Sequence, residues 1–162
     1  MSICPNSTFY NSDTDECVSL CPLDTTTNQK LYGDPTPTEP ICVINTNCPS
    51  NYYADDNVDL CVPICTNGQW ISSKNCVEQC PPGYYGNPNS LACVTPTNCP
   101  SNYYADNVTI TCVTQCSGSF ADSTSQTCVD QCPIFLAIVY YADSYTRICS
   151  PTCTNNATIQ LH

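Results

Sequence analysis

Seventeen of the 162 residues are cysteine, and no other feature restricts the possible folds as much. That density is typical of disulfide scaffolds in oxidising compartments, so the expected location is extracellular or on the cell surface. Leu, Ile, Val and Phe together number 30, under one fifth of the chain, and the formal charge is -11. Without the cysteines, that combination would predict disorder. With them, a chain too poor in aliphatics to build a core is held by covalent staples instead. The only fixed cations are Lys30, Lys74 and Arg147, which leaves nucleic-acid binding without an electrostatic basis. The longest apolar stretch, 133–142, is too short to cross a bilayer. No secretory leader follows Met1, so a leader is expected upstream or already removed.

The cysteines are periodic. Residues 42–55 read CVINTNCPSNYYAD and residues 93–106 read CVTPTNCPSNYYAD. The offset of 51 also carries Cys61 onto Cys112 and Cys65 onto Cys116. A shorter module lies within this repeat. Pairing each cysteine with the next gives Cys4 with Cys17, Cys21 with Cys42, Cys48 with Cys61 and Cys65 with Cys76. The series continues with Cys80 and Cys93, Cys99 and Cys112, Cys116 and Cys128, and Cys132 and Cys149. Three regularities then fall into phase. Val follows the closing cysteine at 18, 43, 62, 77, 94, 113 and 129. Pro follows the opening one at 5, 22, 49, 81, 100 and 133. Aromatics stand four or five places after the opening cysteine, among them Phe9, Tyr52, Trp70, Tyr84, Tyr103 and Phe120. Spacing alone does not fix connectivity, and crossed pairings stay open.

Sequential pairing predicts a small disulfide-rich fold with little helix: tandem single-disulfide β-hairpin modules stacked into an elongated rod, each touching its neighbours. Asp, Asn, Gly and Ser around 55–57, 86–89 and 106–107 suit the hairpin tips. One aromatic per module is expected to cover that module's own disulfide, with Val-x-x as the spacer between modules. The expected divisions are hairpin modules over 1–47, a three-hairpin repeat over 48–98, a second over 99–149, and the start of a further module over 150–162. Cys153 is left unpaired and reads as the opening cysteine of that further module, with a free or intermolecular thiol as the rival reading. Both ends look like interruptions of a longer array.

The pattern Cys-Pro-x-x-Tyr-Tyr…Cys-Val-x-x-Cys resembles the furin-like, growth-factor-receptor cysteine-rich repeat. It is most similar to the Asn- and Tyr-rich versions on surface proteins of ciliates and other protists. The resemblance covers residues 4–153. It implies single-disulfide loops stacked into rods, with sequential pairing. The chain lacks the crossed two-disulfide modules of the receptor versions.

Candidate chemistry is sparse. Zinc sites favour Cys-x2-Cys knuckles with histidine, whereas the closest spacing here is Cys-x3-Cys and the only histidine is His162. A histidine-dependent triad cannot be assembled, and no enzyme is expected. Asp55, Asp56 and Asp59 cluster on an expected exposed, solvated tip, and Asp13, Asp15 and Glu16 form a second cluster. Calcium at such acidic turns is the one cofactor considered, against no cofactor at all. Asn6, Asn107 and Asn156 each begin an Asn-x-Ser/Thr acceptor for N-linked glycan. The segment 134–141 is unusually apolar, and Ile134, Phe135, Leu136, Ile138 and Val139 are expected to form a self-association interface. The expected function is a structural component of a glycosylated extracellular filament, surface coat or cell-surface appendage. The alternative is a ligand-binding or adhesive ectodomain of a cell-surface receptor.

Overall fold

A computed structural model describes residues 4, 5, 7–135 and 138–152. Cys153, Asn6, Asn156 and Leu136 lie outside the described residues. Eight disulfides join the cysteines in sequential order, as the register of Val, Pro and aromatic positions predicts, and every Cα–Cα separation is between 5.5 and 5.7 Å. Apart from short 3-10 turns at Asn45–Asn47 and Pro96–Asn98, the regular structure is all strand. The chain divides into two compact units, residues 1–78 and 79–162.

The first unit contains four antiparallel hairpins: β1 (Phe9–Asn11) with β2 (Glu16–Val18), β3 (Leu31–Asp34) with β4 (Ile41–Ile44), β5 (Tyr53–Asp55) with β6 (Leu60–Val62), and β7 (Trp70–Ser72) with β8 (Asn75–Val77). The second contains β9 (Tyr85–Asn87) with β10 (Ala92–Val94), β11 (Tyr104–Asp106) with β12 (Thr111–Val113), and β13 (Phe120–Asp122) with β14 (Thr127–Val129). Two smaller pairs follow, β15 (Ile134–Phe135) with β16 (Ile138–Val139), and β17 (Tyr141–Ala142) with β18 (Cys149–Ser150).

Two local devices recur among the hairpins. After the opening cysteine the chain turns back: the amides of Tyr52, Tyr84 and Tyr103 donate to the carbonyls of Pro49, Pro81 and Pro100 at 2.9–3.0 Å. The third position of these turns has positive φ and is filled by Asn51, Gly83 and Asn102, the residue types that tolerate it. At the tip, the last residue of the first strand accepts the amide two residues on. Asp34, Asp55, Asn87, Asp106 and Asp122 all do so through Oδ1, at 2.9–3.0 Å, and Asp143, the residue after β17, does the same at 2.9 Å.

Neighbouring hairpins join in parallel. The first strand of one pairs with the second strand of the next, at Tyr10↔Ile41, Gly33↔Leu60, Ala54↔Asn75, Gly86↔Thr111 and Ala105↔Thr127. At each of these joints an amide of the first strand donates to a carbonyl of the next hairpin. Gly33, Ala54, Gly86 and Ala105 donate to the carbonyls of Asp59, Lys74, Ile110 and Gln126 at 2.8–2.9 Å.

The core corrects the expectation that each aromatic shields its own disulfide and that Val is only a spacer. Tyr32 and Val43 of one hairpin pack with Ala54 against Cys48–Cys61 of the next, and Tyr85 and Val94 pack with Ala105 against Cys99–Cys112. Phe9 and Val18 do the same for Cys21–Cys42, and Tyr104 and Val113 for Cys116–Cys128. The module's own aromatic adds a second layer where the sequence has a Tyr pair, as with Tyr52 and Tyr103. Each core is therefore completed by the preceding neighbour. A small residue is needed beneath the incoming ring: at Gly33 an added Cβ would lie 2.6 Å from Phe9 Cε1 and Cζ. We expect Gly33→Ala to destabilise the first unit by about 2 kcal/mol through overpacking, read as a lower urea midpoint of Trp70 fluorescence. An unchanged midpoint would mean that the Phe9 ring is not held in place.

Candidate functional site

The most structured surface of the first unit is the joint between its second and third hairpins. The acidic tip there is only in part the solvated turn the sequence suggests: Asp56 and Asn57 are exposed, but Asp55 is not. Asp55 is 0% exposed, because its strand position points it under the tip rather than out of it. Its Oδ1 accepts the Asn57 amide at 2.9 Å. Its Oδ2 accepts the Thr66 amide at 2.9 Å and the Thr66 hydroxyl at 2.7 Å. Thr66 follows the opening cysteine of the next module, so one buried carboxylate ties the two hairpins together. Burial pushes this carboxyl up, but the hydrogen bonds from Thr66 and Asn57 outweigh it and hold it below the ordinary carboxylate range.

Asp56 is exposed and Asp59 half-buried, and both face Lys30 of the preceding module. Lys30 Nζ lies 2.7 Å from Asp56 Oδ1 and 2.6 Å from Asp59 Oδ1, and 5.4 Å from the centre of the Tyr32 ring. The Tyr32 hydroxyl donates to Asp56 Oδ1 at 2.9 Å. The hydrogen bond from Lys30 lowers the Asp56 carboxyl, and the two carboxylates raise Lys30. Burial, followed by the bond to Asp56, pushes Tyr32 up to about 12. An internal ammonium thus occupies the place where the sequence suggested calcium. In the other acidic cluster, Asp13 Oδ2 accepts the Thr25 amide at 3.0 Å and Asp15 accepts the Tyr10 hydroxyl. Among the described residues, no three His, Cys, Asp or Glu side chains converge as a metal site.

The second unit repeats the Tyr32 joint without charge. The Tyr85 hydroxyl donates to Asn107 Oδ1 at 2.5 Å, with Asn107 in the position Asp56 holds 51 residues earlier. Asn107 is exposed, and it is the one glycan acceptor among the described residues. Its Oδ1 is occupied by the tyrosine, while the Nδ2 to which a glycan attaches is not engaged by that bond. The sequon hydroxyl, Thr109 Oγ1, donates to Asp106 Oδ2 at 3.0 Å.

The remaining cations also close joints. Lys74 Nζ donates to the carbonyls of Cys48 and Pro49, at 2.9 and 2.8 Å. Arg147 lies over the Phe120 ring, 5.7 Å from its centre. Within the expected interface, Ile134 and Val139 are cross-strand partners on β15 and β16, 72% and 40% exposed. Phe135 and Ile138 belong to the same two strands. No helix of the described residues is long and apolar enough to cross a membrane.

Sequence reasoning missed the strand triplet aromatic–small–Asp/Asn. It was present in plain form as Tyr32-Gly33-Asp34, Tyr53-Ala54-Asp55, Tyr85-Gly86-Asn87, Tyr104-Ala105-Asp106, Phe120-Ala121-Asp122 and Tyr141-Ala142-Asp143. Comparison of the chain with protein-family models, curated proteins and solved structures finds no match.

Proposed function

We propose that this chain is a structural segment of an extracellular, glycosylated filament, surface coat or cell-surface appendage, built from cysteine-rich repeats of the furin-like kind. The observation that carries this reading is the way each module is finished by its neighbour. Disulfide, ring, small residue and buried carboxylate recur at fixed places, and this recurring chemistry lies in the joints between modules. Such an arrangement propagates length and resists local opening. Among the described residues the buried carboxylates, such as Asp55, are engaged in these joints, which favours a structural over a catalytic role. The density of disulfides supports an oxidising environment.

Two experiments test the reading. In protein recovered from its natural source, Asn107 should carry glycan, and Asn107→Gln should remove that mass without disturbing the disulfides; a bare Asn107 in every preparation would count against the glycosylated surface assignment. The exposed Ile134 and Val139 pair is proposed to meet a second copy of this chain. Replacing both by Asp should abolish assembly seen by light scattering while the monomer keeps its disulfides. Assembly of undiminished extent would remove 134–139 as the contact.

A further inference from the structure

Arg147 differs from the other two fixed cations. Lys30 is neutralised by two carboxylates and Lys74 is capped by carbonyls, but Arg147 makes no ion pair with any described carboxylate, in a chain of net charge -11. Its backbone is fixed: the carbonyl accepts the Ala121 amide at 2.7 Å and the amide donates to the Asp143 carbonyl at 2.8 Å. The guanidinium over Phe120 is held by cation–π attraction, which satisfies none of its five N–H donors. It lines a cleft of about 160 Å³ with Asn102, Tyr104, Gln115 and Thr146, and none of the side chains of Asn102, Gln115 and Thr146 is engaged in a hydrogen bond with another described residue. The cleft is well below the size that holds a drug-like ligand.

A guanidinium fork selects a planar anion, and amides and a hydroxyl around it suit a ring of hydroxyl groups. We propose that this cleft binds a single acidic sugar residue, with its carboxylate on Arg147 and its hydroxyls on Asn102, Gln115 and Thr146. This goes beyond the structural role and gives the surface a recognition function. The overall negative charge repels simple anions, so the sugar contacts must contribute for binding to occur.

The test uses the whole disulfide-bonded chain, labelled with ¹⁵N and titrated with methyl glucuronide, with neutral methyl glucoside and acetate as controls. Glucuronide should give saturable shifts at the amides of Gln115, Ala121 and Ile148. Glucoside, acetate and the Arg147→Met variant should each bind about tenfold more weakly or worse. Arg147→Lys keeps the charge and loses the fork. It should also weaken binding, and it decides the matter if the methionine variant unfolds. No saturable shift, equal binding of glucoside or acetate, or undiminished binding by the variants would overturn the proposal.

Discussion

Replacing Cys48 and Cys61 together by alanine is expected to cost the first unit about 3 kcal/mol, the chain-entropy value for a loop closed by this sequence separation of 13. The damage should also spread by one module in each direction. Tyr32 and Val43 of the second hairpin rest on this disulfide, and Ala54 of the third hairpin donates to the fourth through the Lys74 carbonyl. Hydrogen exchange should therefore quicken over 31–44, 53–62 and 70–77, while the amides of β11–β14 in the second unit keep their protection. Loss of protection confined to 53–62 would show that the modules have private cores. Loss throughout both units would show that the chain folds as one cooperative body and not as a series.

The second large effect is expected at Asp55. Asp55→Ala removes a buried carboxylate and orphans three donors, the amides of Asn57 and Thr66 and the Thr66 hydroxyl. The loss should be about 3 kcal/mol. Asp56→Asn, at the next residue, should cost under about 1 kcal/mol, because its ion pair with Lys30 is largely exposed. The contrast separates a buried joint from a solvated tip, since a solvated tip would make the two substitutions equally mild. The pH dependence follows from the same bonds. Asp55 is held below its ordinary value when folded, so its contribution is complete above the unfolded carboxyl range near pH 4 and is lost as pH falls through the folded value. Wild-type protein should therefore lose stability in acid, and Asp55→Ala should lose less over the same window. Trp70, the single tryptophan, reports both in urea titrations of the first unit.

The hairpins and their pairing were legible because three independent signals share one phase: Val after the closing cysteine, Pro after the opening one, and the aromatic a fixed step beyond. What lay between neighbouring modules was not legible. A ring four or five residues from a cysteine in sequence is naturally assigned to that cysteine. The parallel joint instead carries Tyr85, five residues after Cys80, over Cys99 and Cys112, and the cysteine spacing does not encode that shift. The acidic tip misled for a related reason. Asp55, Asp56 and Asp59 look alike as a charge cluster, but Asp55 ends β5 and is held inside by Asn57 and Thr66, whereas Asp56 stands in the exposed turn beyond the strand. The triplet aromatic–small–Asp/Asn would have revealed both points, because a polar residue repeated at one strand position beside a small one marks a packed joint rather than a surface.

The central claim is that eight sequential disulfides define modules joined only through their neighbours. Non-reducing peptide mapping by mass spectrometry, after digestion in acid to prevent exchange, tests it most directly. The account predicts Cys4–Cys17, Cys21–Cys42, Cys48–Cys61, Cys65–Cys76, Cys80–Cys93, Cys99–Cys112, Cys116–Cys128 and Cys132–Cys149 and no other pairing among these sixteen cysteines. Crossed pairs, or free thiols across the array in natively sourced protein, would contradict it.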